Sequence, residues 1–274
     1  MKLEAFIRAN GSDNPETVKL YLREVRRFTG WLGSRSLNLE TVQEYETWMR
    51  ERYKPNSLSN KATAVNLYLK WRDTELKMKR PPKQIAANPK LVSDAEYEAV
   101  LGRIADAEER LVVRILHDSL LRPSDVVSIR LADLDTSEGV TVIRKATQKT
   151  GAVSESILTK ETAADLAAYV KSAGVTDYLF PGETDKPHRH RTWPNAVLRK
   201  HHAEGITPRT FRRTGATQWP EDLTSLMAQG GWTDPRTVLK HYRKNLRERH
   251  LRAFESAMGA AKDREPEDEL PGYG

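Results

Sequence analysis

Cysteine is absent from the 274-residue sequence. A disulfide framework, a thiolate nucleophile and a cysteine-ligated zinc site are therefore excluded. No run approaches the roughly 18 apolar residues of a membrane span, and the first residues, MKLEAFIRANGSD, lack the apolar core of a signal peptide. These absences predict a soluble intracellular protein with no membrane partner.

Two common ways of handling phosphate are also missing. The sequence has no GxxxxGK[ST] loop, and no acidic cluster has the ligand spacing of a metal-dependent nuclease. Its 45 Lys and Arg residues exceed its 38 Asp and Glu residues, giving a net charge of +7 that favours an anionic partner. We therefore expect no cofactor, no metal and no small-molecule substrate. Positive charge would have to come from side chains, and arginine suits phosphate because its planar fork stays charged.

Residues 1–80 are predicted to form a small helical domain. Apolar residues recur at helical spacing in three runs, and Ser12 or Asp13 can cap the first helix. The runs cover residues 18–32, 39–48 and 57–71. Basic side chains lie across these helices, and they could form either a solvated face or a surface for nucleic-acid phosphates.

Residues 81–92 begin with a double proline and are predicted to be a basic linker. Residues 93–258 are predicted to form a second, larger domain, which opens with the capping box Ser93-Asp94-Ala95-Glu96. Its pattern is helical except between residues 140 and 158, where two β-branched or alternating runs flank a turn and indicate a β-hairpin. The fold class is therefore mainly α with a small β-hairpin or sheet. Residues 259–274 are acidic and are predicted to be disordered.

Basic residues stand at element ends and turns within the second domain. Arg122 lies at a helix break, Lys149 lies at the predicted hairpin tip, and Arg209 and Arg212 are three positions apart on one helical face. Two arginines that hold one phosphate while a lysine approaches from a turn would make a plausible cradle for a phosphoryl-transfer transition state.

Four segments resemble the motifs of the tyrosine recombinases, or phage integrases, in the family's order. HDSLLRPSDVVSIRLADLD resembles the first arginine box, and QKTGAVSESIL resembles the hairpin that carries a catalytic lysine. TPRTFRRTGAT resembles the second box, which normally reads Pro-His-x-Leu-Arg-His-Thr-x-Ala-Thr. GGWTDPRTVLKHY resembles the closing segment, normally Leu-Gly-His followed about nine residues later by the nucleophilic tyrosine. The N-terminal helices resemble the family's core-binding, SAM-like domain, so the resemblance spans nearly the whole chain.

The resemblance implies six catalytic residues. Tyr242 would attack the scissile phosphate to form a 3′-phosphotyrosyl link, and Lys149 would protonate the departing 5′-oxygen. Arg122 and Arg212 would bind the phosphate. Trp232 would supply an indole donor in place of the usual histidine, and Arg209 stands in place of a second histidine. Asp125 would support Arg122 without entering the chemistry.

The sequence also departs from the family pattern. Arginine cannot titrate near neutrality, so the role of Arg209 would be electrostatic, and Tyr242 lies ten residues after Trp232 instead of nine. Lys145 competes with Lys149 for the lysine role, and His241 competes with Tyr242. Arg213 matches a structural position in the second box and is left out of the catalytic set.

The predicted function is site-specific recombination of double-stranded DNA, such as integration or excision of a virus genome or another mobile element. The resemblance implies a homotetramer on two DNA sites and a monomer when free. It also implies action in the cytoplasm of a prokaryotic host, at the nucleoid. Two alternatives stay open: a catalytically impaired DNA-binding protein on the same scaffold, and a type IB topoisomerase-like enzyme.

Overall fold

The computed structural model describes residues 1–82, 84, 90–148, 151, 153–183, 185–219 and 222–242. Lys149, half of the predicted linker (residues 83 and 85–89) and everything after Tyr242, including the predicted acidic tail, lie outside the described residues. The chain forms two compact units, 1–87 and 88–274, which we call the N-terminal and C-terminal units. No helix among the described residues has the length and apolar character needed to cross a bilayer.

The N-terminal unit contains four described helices. They are α1 (Leu3–Asn10), α2 (Pro15–Leu32), α3 (Leu39–Arg52) and α4 (Pro55–Trp71). The cap of α2 is Asn14, whose side-chain oxygen accepts from the backbone N–H groups of Glu16 and Thr17, so the predicted cap at Ser12 or Asp13 was wrong. Proline at the first helical position fixes the start of α2 one residue after this cap. Phe28, Tyr45 and Met49 are fully buried in the core between α2, α3 and α4.

The C-terminal unit contains eight described helices and a small sheet. The first four helices are α5 (Asp94–Leu101), α6 (Ala107–Ser119), α7 (Pro123–Val127) and α8 (Lys160–Ala173). The last four are α9 (Trp193–Lys200), α10 (Pro208–Gln218), α11 (Leu223–Gly230) and α12 (Pro235–His241). Ser93 closes the predicted capping box with Glu96 at the start of α5. The main core surrounds α6, whose Val112, Val113 and Ile115 are fully buried.

The sheet is antiparallel, in the order β1–β2–β3. Its strands are β1 (Leu134–Asp135), β2 (Val142–Ala146) and β3 (Val153–Ile157). The last two strands are the predicted hairpin, with Ile143 opposite Ser156. The short β1 pairs along the other edge of β2 and was not predicted. The predicted fold class, mainly α with a small sheet, is confirmed.

A second, smaller core adjoins the candidate site. It joins the end of α6 to α10, α11 and α12 through Leu120, Ala216, Leu226 and Val238. Gly215 permits this packing, because a Cβ at that position would collide with the Leu120 side chain. Leu120 adopts a left-handed conformation (φ 54°) and ends α6, and its carbonyl accepts from the Arg212 side chain on α10.

Candidate active site

Five of the six residues predicted for catalysis line one cleft of about 600 Å³ in the C-terminal unit. They come from the start of α7, from α10, from the loop after α11 and from the end of α12. These residues are Arg122, Arg209, Arg212, Trp232 and Tyr242. The sixth, Lys149, lies outside the described residues.

Arg212 is the most constrained of these side chains. It is only 4% exposed, and its Nη1 donates to the carbonyl of Leu120 and, at 2.7 Å, to the carbonyl of Gly230. Its Nη2 is buried and has no partner in hydrogen-bonding geometry among the described residues. Burial lowers the pKa of Arg212 to about 10, with the nearby Tyr242 hydroxyl opposing that shift and the charge of Arg122 adding to it. The guanidinium therefore stays charged at neutral pH, with one donor available to a ligand.

Arg122 is the N-cap residue of α7, which begins at Pro123. Its Nη1 lies 3.7 Å from the Oδ2 atom of Asp125, and both atoms are buried without a hydrogen bond to any described residue. Asp125 is fully buried and its other oxygen, Oδ1, accepts from the backbone N–H of Gln148 at 2.9 Å. The carboxylate thus lies beside Arg122 and also holds the residue that precedes Lys149 in the chain.

Trp232 lies between the second-box arginine and the tyrosine. The Arg212 guanidinium carbon is 3.6 Å from the centroid of its ring, a cation–π contact between two buried groups. The Tyr242 ring meets the same indole edge-on, with centroids 5.2 Å apart. Gly230 stands where the family pattern has leucine, and a Cβ there would collide with the indole. The absence of a side chain at position 230 therefore makes room for the large ring at position 232.

Tyr242 follows the last residue of α12. Its backbone N–H donates to the carbonyl of Val238, and its own carbonyl accepts from the Thr217 hydroxyl at 2.7 Å. The ten-residue interval from Trp232 is accommodated in this geometry, since both side chains line the cleft. The side chain of its competitor His241 lies outside what the structure describes.

Arg209 reaches the same cleft from the first turn of α10, one helical turn before Arg212, and it is exposed. Lys145, the competitor of Lys149, is held elsewhere. Its Nζ donates to the Ser128 carbonyl at 2.7 Å and to the Asp133 carboxylate at 3.0 Å. These partners hold the Lys145 ammonium outside the lining of the cleft, so Lys149 is the better candidate of the two.

Sequence reasoning did not select Arg191, Thr192 and Asn195, which form another wall of the cleft at the start of α9. The available signal was the basic run His188 to Arg191, but this run resembles ordinary surface sequence. Asp125 is the acidic residue closest in role to the site, yet it does not line the cleft. Among the described residues that do, there are four arginines and no Asp or Glu.

The cleft is therefore suited to an anion with several oxygen atoms. Arg122 and Arg212 each have a buried N–H without a hydrogen bond to the described residues. Leaving such a donor unsatisfied costs about 1–3 kcal/mol, and more when the group is charged. A phosphate oxygen accepts from guanidinium groups in short, strong hydrogen bonds. No group of three or more His, Asp or Glu residues in the described part of the chain is arranged to hold a metal ion.

Comparison with known proteins gives consistent results. The sequence profile of the Phage integrase family matches residues 90–249. The tyrosine recombinase XerA of Thermococcus kodakarensis is 25% identical over 241 residues, which are 83% of this chain and 83% of that protein. XerA of Saccharolobus solfataricus is 26% identical over 190 residues, 63% of this chain and 64% of that protein.

Two solved structures share the fold at low sequence identity. Lambda integrase, in a tetramer bound to a Holliday junction, matches with a TM-score of 0.70 over 98% of this chain and 78% of that chain, at 11% identity. The Tn1549 transposon integrase in complex with circular intermediate DNA matches with a TM-score of 0.70 over 94% of this chain and 100% of that chain, at 15% identity.

Proposed function

The chain belongs to the Phage integrase family, and on that premise we propose how its cleft breaks and rejoins DNA. It is a tyrosine recombinase, an enzyme of site-specific DNA recombination, and its substrate is double-stranded DNA. The observation that carries the proposal is the cleft itself, in which Arg122, Arg212 and Tyr242 converge and each of the two arginines keeps a nitrogen that makes no hydrogen bond to a described residue.

The first chemical step is a displacement at phosphorus. The phenol oxygen of Tyr242 forms a bond to the scissile phosphorus, the bond from phosphorus to the 5′-oxygen breaks, and the tyrosine proton is released. Arg122 and Arg212 hold the two nonbridging oxygens and offset the negative charge that builds on them in the transition state. Lys149 gives a proton to the departing 5′-oxygen as general acid.

Rejoining reverses these bonds on a new strand. A free 5′-hydroxyl attacks the 3′-phosphotyrosyl phosphorus and releases Tyr242. Because the bond energy stays in the phosphotyrosine, the strand is resealed without an energy-supplying nucleotide. The Trp232 ring packs against both Arg212 and Tyr242 and so helps to hold these two side chains in place. The fixed charge of Arg209 adds to the attraction for the DNA backbone.

The residues 93–258 serve as the catalytic domain in this proposal, and the helices of residues 1–80 serve as the core-binding domain, joined by the linker 81–92. In this proposal the assembly on DNA is a homotetramer on two sites and the free protein is a monomer; lambda integrase forms a tetramer bound to a Holliday junction. We place the reaction in the cytoplasm of a prokaryotic host, on nucleoid DNA or the DNA of a mobile element or virus.

A trapping assay tests the proposal. Duplexes that bind the protein would first be enriched from a randomised pool. The enriched duplexes would then be prepared with a nick near the cleavage position. After attack, the short strand that ends in the 5′-hydroxyl diffuses away and cannot be rejoined. In the presence of a chelator, wild-type protein should become covalently attached to the 3′-phosphate side, and Tyr242→Phe should not, although it still binds.

The other outcomes have distinct meanings. Tight binding by the wild type without covalent attachment would identify a catalytically impaired DNA-binding protein, the reading that Arg209 suggested. Relaxation of a plasmid that lacks any enriched sequence would identify a topoisomerase-like enzyme. Attachment that persists in Tyr242→Phe would assign the nucleophile to another residue, with His241 as the first to test.

A further inference from the structure

Gln229, in the last turn of α11, is a buried polar residue for which the mechanism above has no use. It is 5% exposed, and its side-chain amide makes three hydrogen bonds. Its Oε1 accepts from the backbone N–H of Ile157 at 2.9 Å. Its Nε2 donates to the carbonyl of Ile157 at 2.9 Å and to the carbonyl of Asp118 at 2.7 Å.

These contacts attach α11 to an edge of the sheet. β3 is an edge strand, and Ile157 is its last residue. An edge strand presents backbone N–H and C=O groups that lack a neighbouring strand. The amide of Gln229 takes both groups of Ile157, as a paired strand would, and the backbone carbonyl of Gln229 accepts from the Ser156 hydroxyl at 2.6 Å. The end of β3 is therefore fixed to the end of α11 by three hydrogen bonds, and the bond to Asp118 ties the same glutamine to the end of α6.

The next residues extend this attachment toward the turn of the hairpin. Gly231 has a positive φ of 61°, and a Cβ there would lie 2.7 Å from the Thr147 Cγ2 atom and 3.1 Å from the Ser154 Cβ atom. The backbone at position 231 thus packs against both arms of the hairpin near its turn. In sequence, Lys149 follows Thr147 by two residues.

The same segment also fixes the phosphate-binding arginine. The carbonyl of Gly230 accepts from Arg212 at 2.7 Å, and Trp232 packs its ring under that guanidinium. Residues 229–232 therefore connect the hairpin on one side with Arg212 on the other. A shift of the hairpin relative to this segment would change the distance between its turn and the phosphate held by Arg212.

We propose that Gln229 is a positioning residue for the leaving-group lysine: by fixing β3 to α11, it holds the hairpin that carries Lys149 in register with Arg212. The inference rests on the role of Lys149 in the proposed function. It goes beyond that function because it assigns a part in the protonation step to a residue that contacts neither the DNA phosphate nor the lysine.

The experiment compares two substrates that differ at one atom. In the first, the leaving group is the natural 5′-oxygen; in the second, sulfur replaces that bridging oxygen. An alkoxide needs a proton as it departs, whereas a thiolate leaves without one because a thiol is far more acidic, with a pKa of about 8.5. A defect in the general acid is therefore repaired by the sulfur substrate, and a defect in phosphate binding is not.

Single-turnover cleavage would be measured for Gln229→Met, which keeps the size of the side chain and removes its amide. We expect cleavage of the oxygen substrate to slow by about 10- to 100-fold, a partial loss of the roughly 10²–10⁴-fold that a general acid contributes, and cleavage of the sulfur substrate to stay within about threefold of wild type. Lys149→Ala should show the same rescue, and Arg212→Met should be slow on both substrates. The matched control is Gln218→Met. Gln218 is an exposed glutamine on α10 that lines the same surface cavity as Gln229, and its variant should behave as wild type.

Two results would overturn the inference. If Gln229→Met is equally slow on both substrates while Lys149→Ala is rescued, Gln229 supports the fold in general and not the lysine. If Gln229→Met cleaves the oxygen substrate at the wild-type rate, the attachment has no role in positioning. A Lys149→Ala variant that sulfur does not rescue would overturn the proposed role of the lysine as well. Gln229→Glu keeps the acceptor for Ile157 and loses the donor, so it provides the same comparison if the methionine variant fails to fold.

Discussion

Each unit of the molecule buries a charged cluster, and the two clusters are compensated in opposite ways. In the N-terminal unit, the Glu24 carboxylate is 2% exposed and has three cationic partners, Arg27 and Lys61 at 2.7 Å and Arg23 at 3.5 Å. In the cleft of the C-terminal unit, the buried cations are in excess. Arg212 has two neutral carbonyls as its acceptors, and Arg122 has one carboxylate at 3.7 Å.

The difference separates a cluster that stabilises a fold from one that binds a ligand. A buried charge costs free energy unless a partner compensates it, and Glu24 has three cationic partners, although its Oε1 accepts no hydrogen bond from a described residue. The difference lies in the balance of charge: the cleft arginines outnumber the one carboxylate beside them, each keeps a nitrogen without a hydrogen bond to a described residue, and burial already lowers the pKa of Arg212. An incoming phosphate supplies negative charge, so the excess positive charge of the cleft is compensated when DNA is bound.

Removing the charge of Arg212 should have the largest effect on catalysis. Arg212→Met keeps an unbranched side chain of similar length but loses the guanidinium, and we expect single-turnover cleavage to fall by about 10²–10³-fold, as for loss of a transition-state donor. The Leu120 and Gly230 carbonyls lose their donor in this variant, so the thermal midpoint should fall as well, and cleavage is measured well below it. Arg213→Met, at the half-buried neighbour on α10, is the control and should stay within severalfold of wild type. Equal losses for both variants would contradict the comparison.

Removing the charge of Glu24 should affect stability instead. Glu24→Gln leaves Arg27 and Lys61 without a counter-charge, and breaking a buried pair costs about 3–5 kcal/mol. The Arg27 side chain is 35% exposed and that of Lys61 is 15% exposed, so we expect a smaller loss of about 2 kcal/mol in urea unfolding. Glu44→Gln removes an exposed ion pair on α3 and should cost less than about 1 kcal/mol. A destabilisation no greater than that of Glu44→Gln would show that the Glu24 cluster is not compensating a buried charge.

Arg191 should have the smallest effect of the three. Two arginines match the charge of one phosphate group in the transition state. Arg191 also lines the cleft, and we expect it to meet a neighbouring phosphate of the same strand. Arg191→Ala should weaken DNA binding about tenfold and reduce by about one the slope of binding against salt concentration. Arg199→Ala, on α9 and outside the lining of the cleft, should leave the slope unchanged. An unchanged slope for Arg191→Ala would remove this residue from the DNA-binding surface.

Most of the site could be predicted because its residues sit in short segments with fixed local spacing. Arg209 and Arg212 lie on one helical face, Arg122 precedes the proline that starts α7, and Trp232 follows a pair of glycines. Local patterns of this kind survive in the sequence whatever the distant parts of the chain do.

The remaining features arise from tertiary packing and leave weaker signals. Arg191 lies just before α9 and lines the cleft with Thr192 and Asn195, and its own neighbours in sequence resemble ordinary surface residues. The role of Gln229 leaves no local pattern, since its partners at Ile157 and Asp118 are 72 and 111 positions away. α1 and β1 are short elements that are stabilised by their neighbours, and short segments carry little periodicity to predict them from.

The most direct measurement of the central claim uses a substrate whose scissile phosphate carries one methyl group in place of a nonbridging oxygen. This methylphosphonate is uncharged, so a cleft that serves to neutralise phosphate charge should matter less for its cleavage. We predict that Arg212→Met, about 10²–10³-fold slower than wild type on the phosphate, will come within about tenfold of wild type on the methylphosphonate. An equal loss on both substrates would contradict the account, because Arg212 would then be acting through structure and not through its charge.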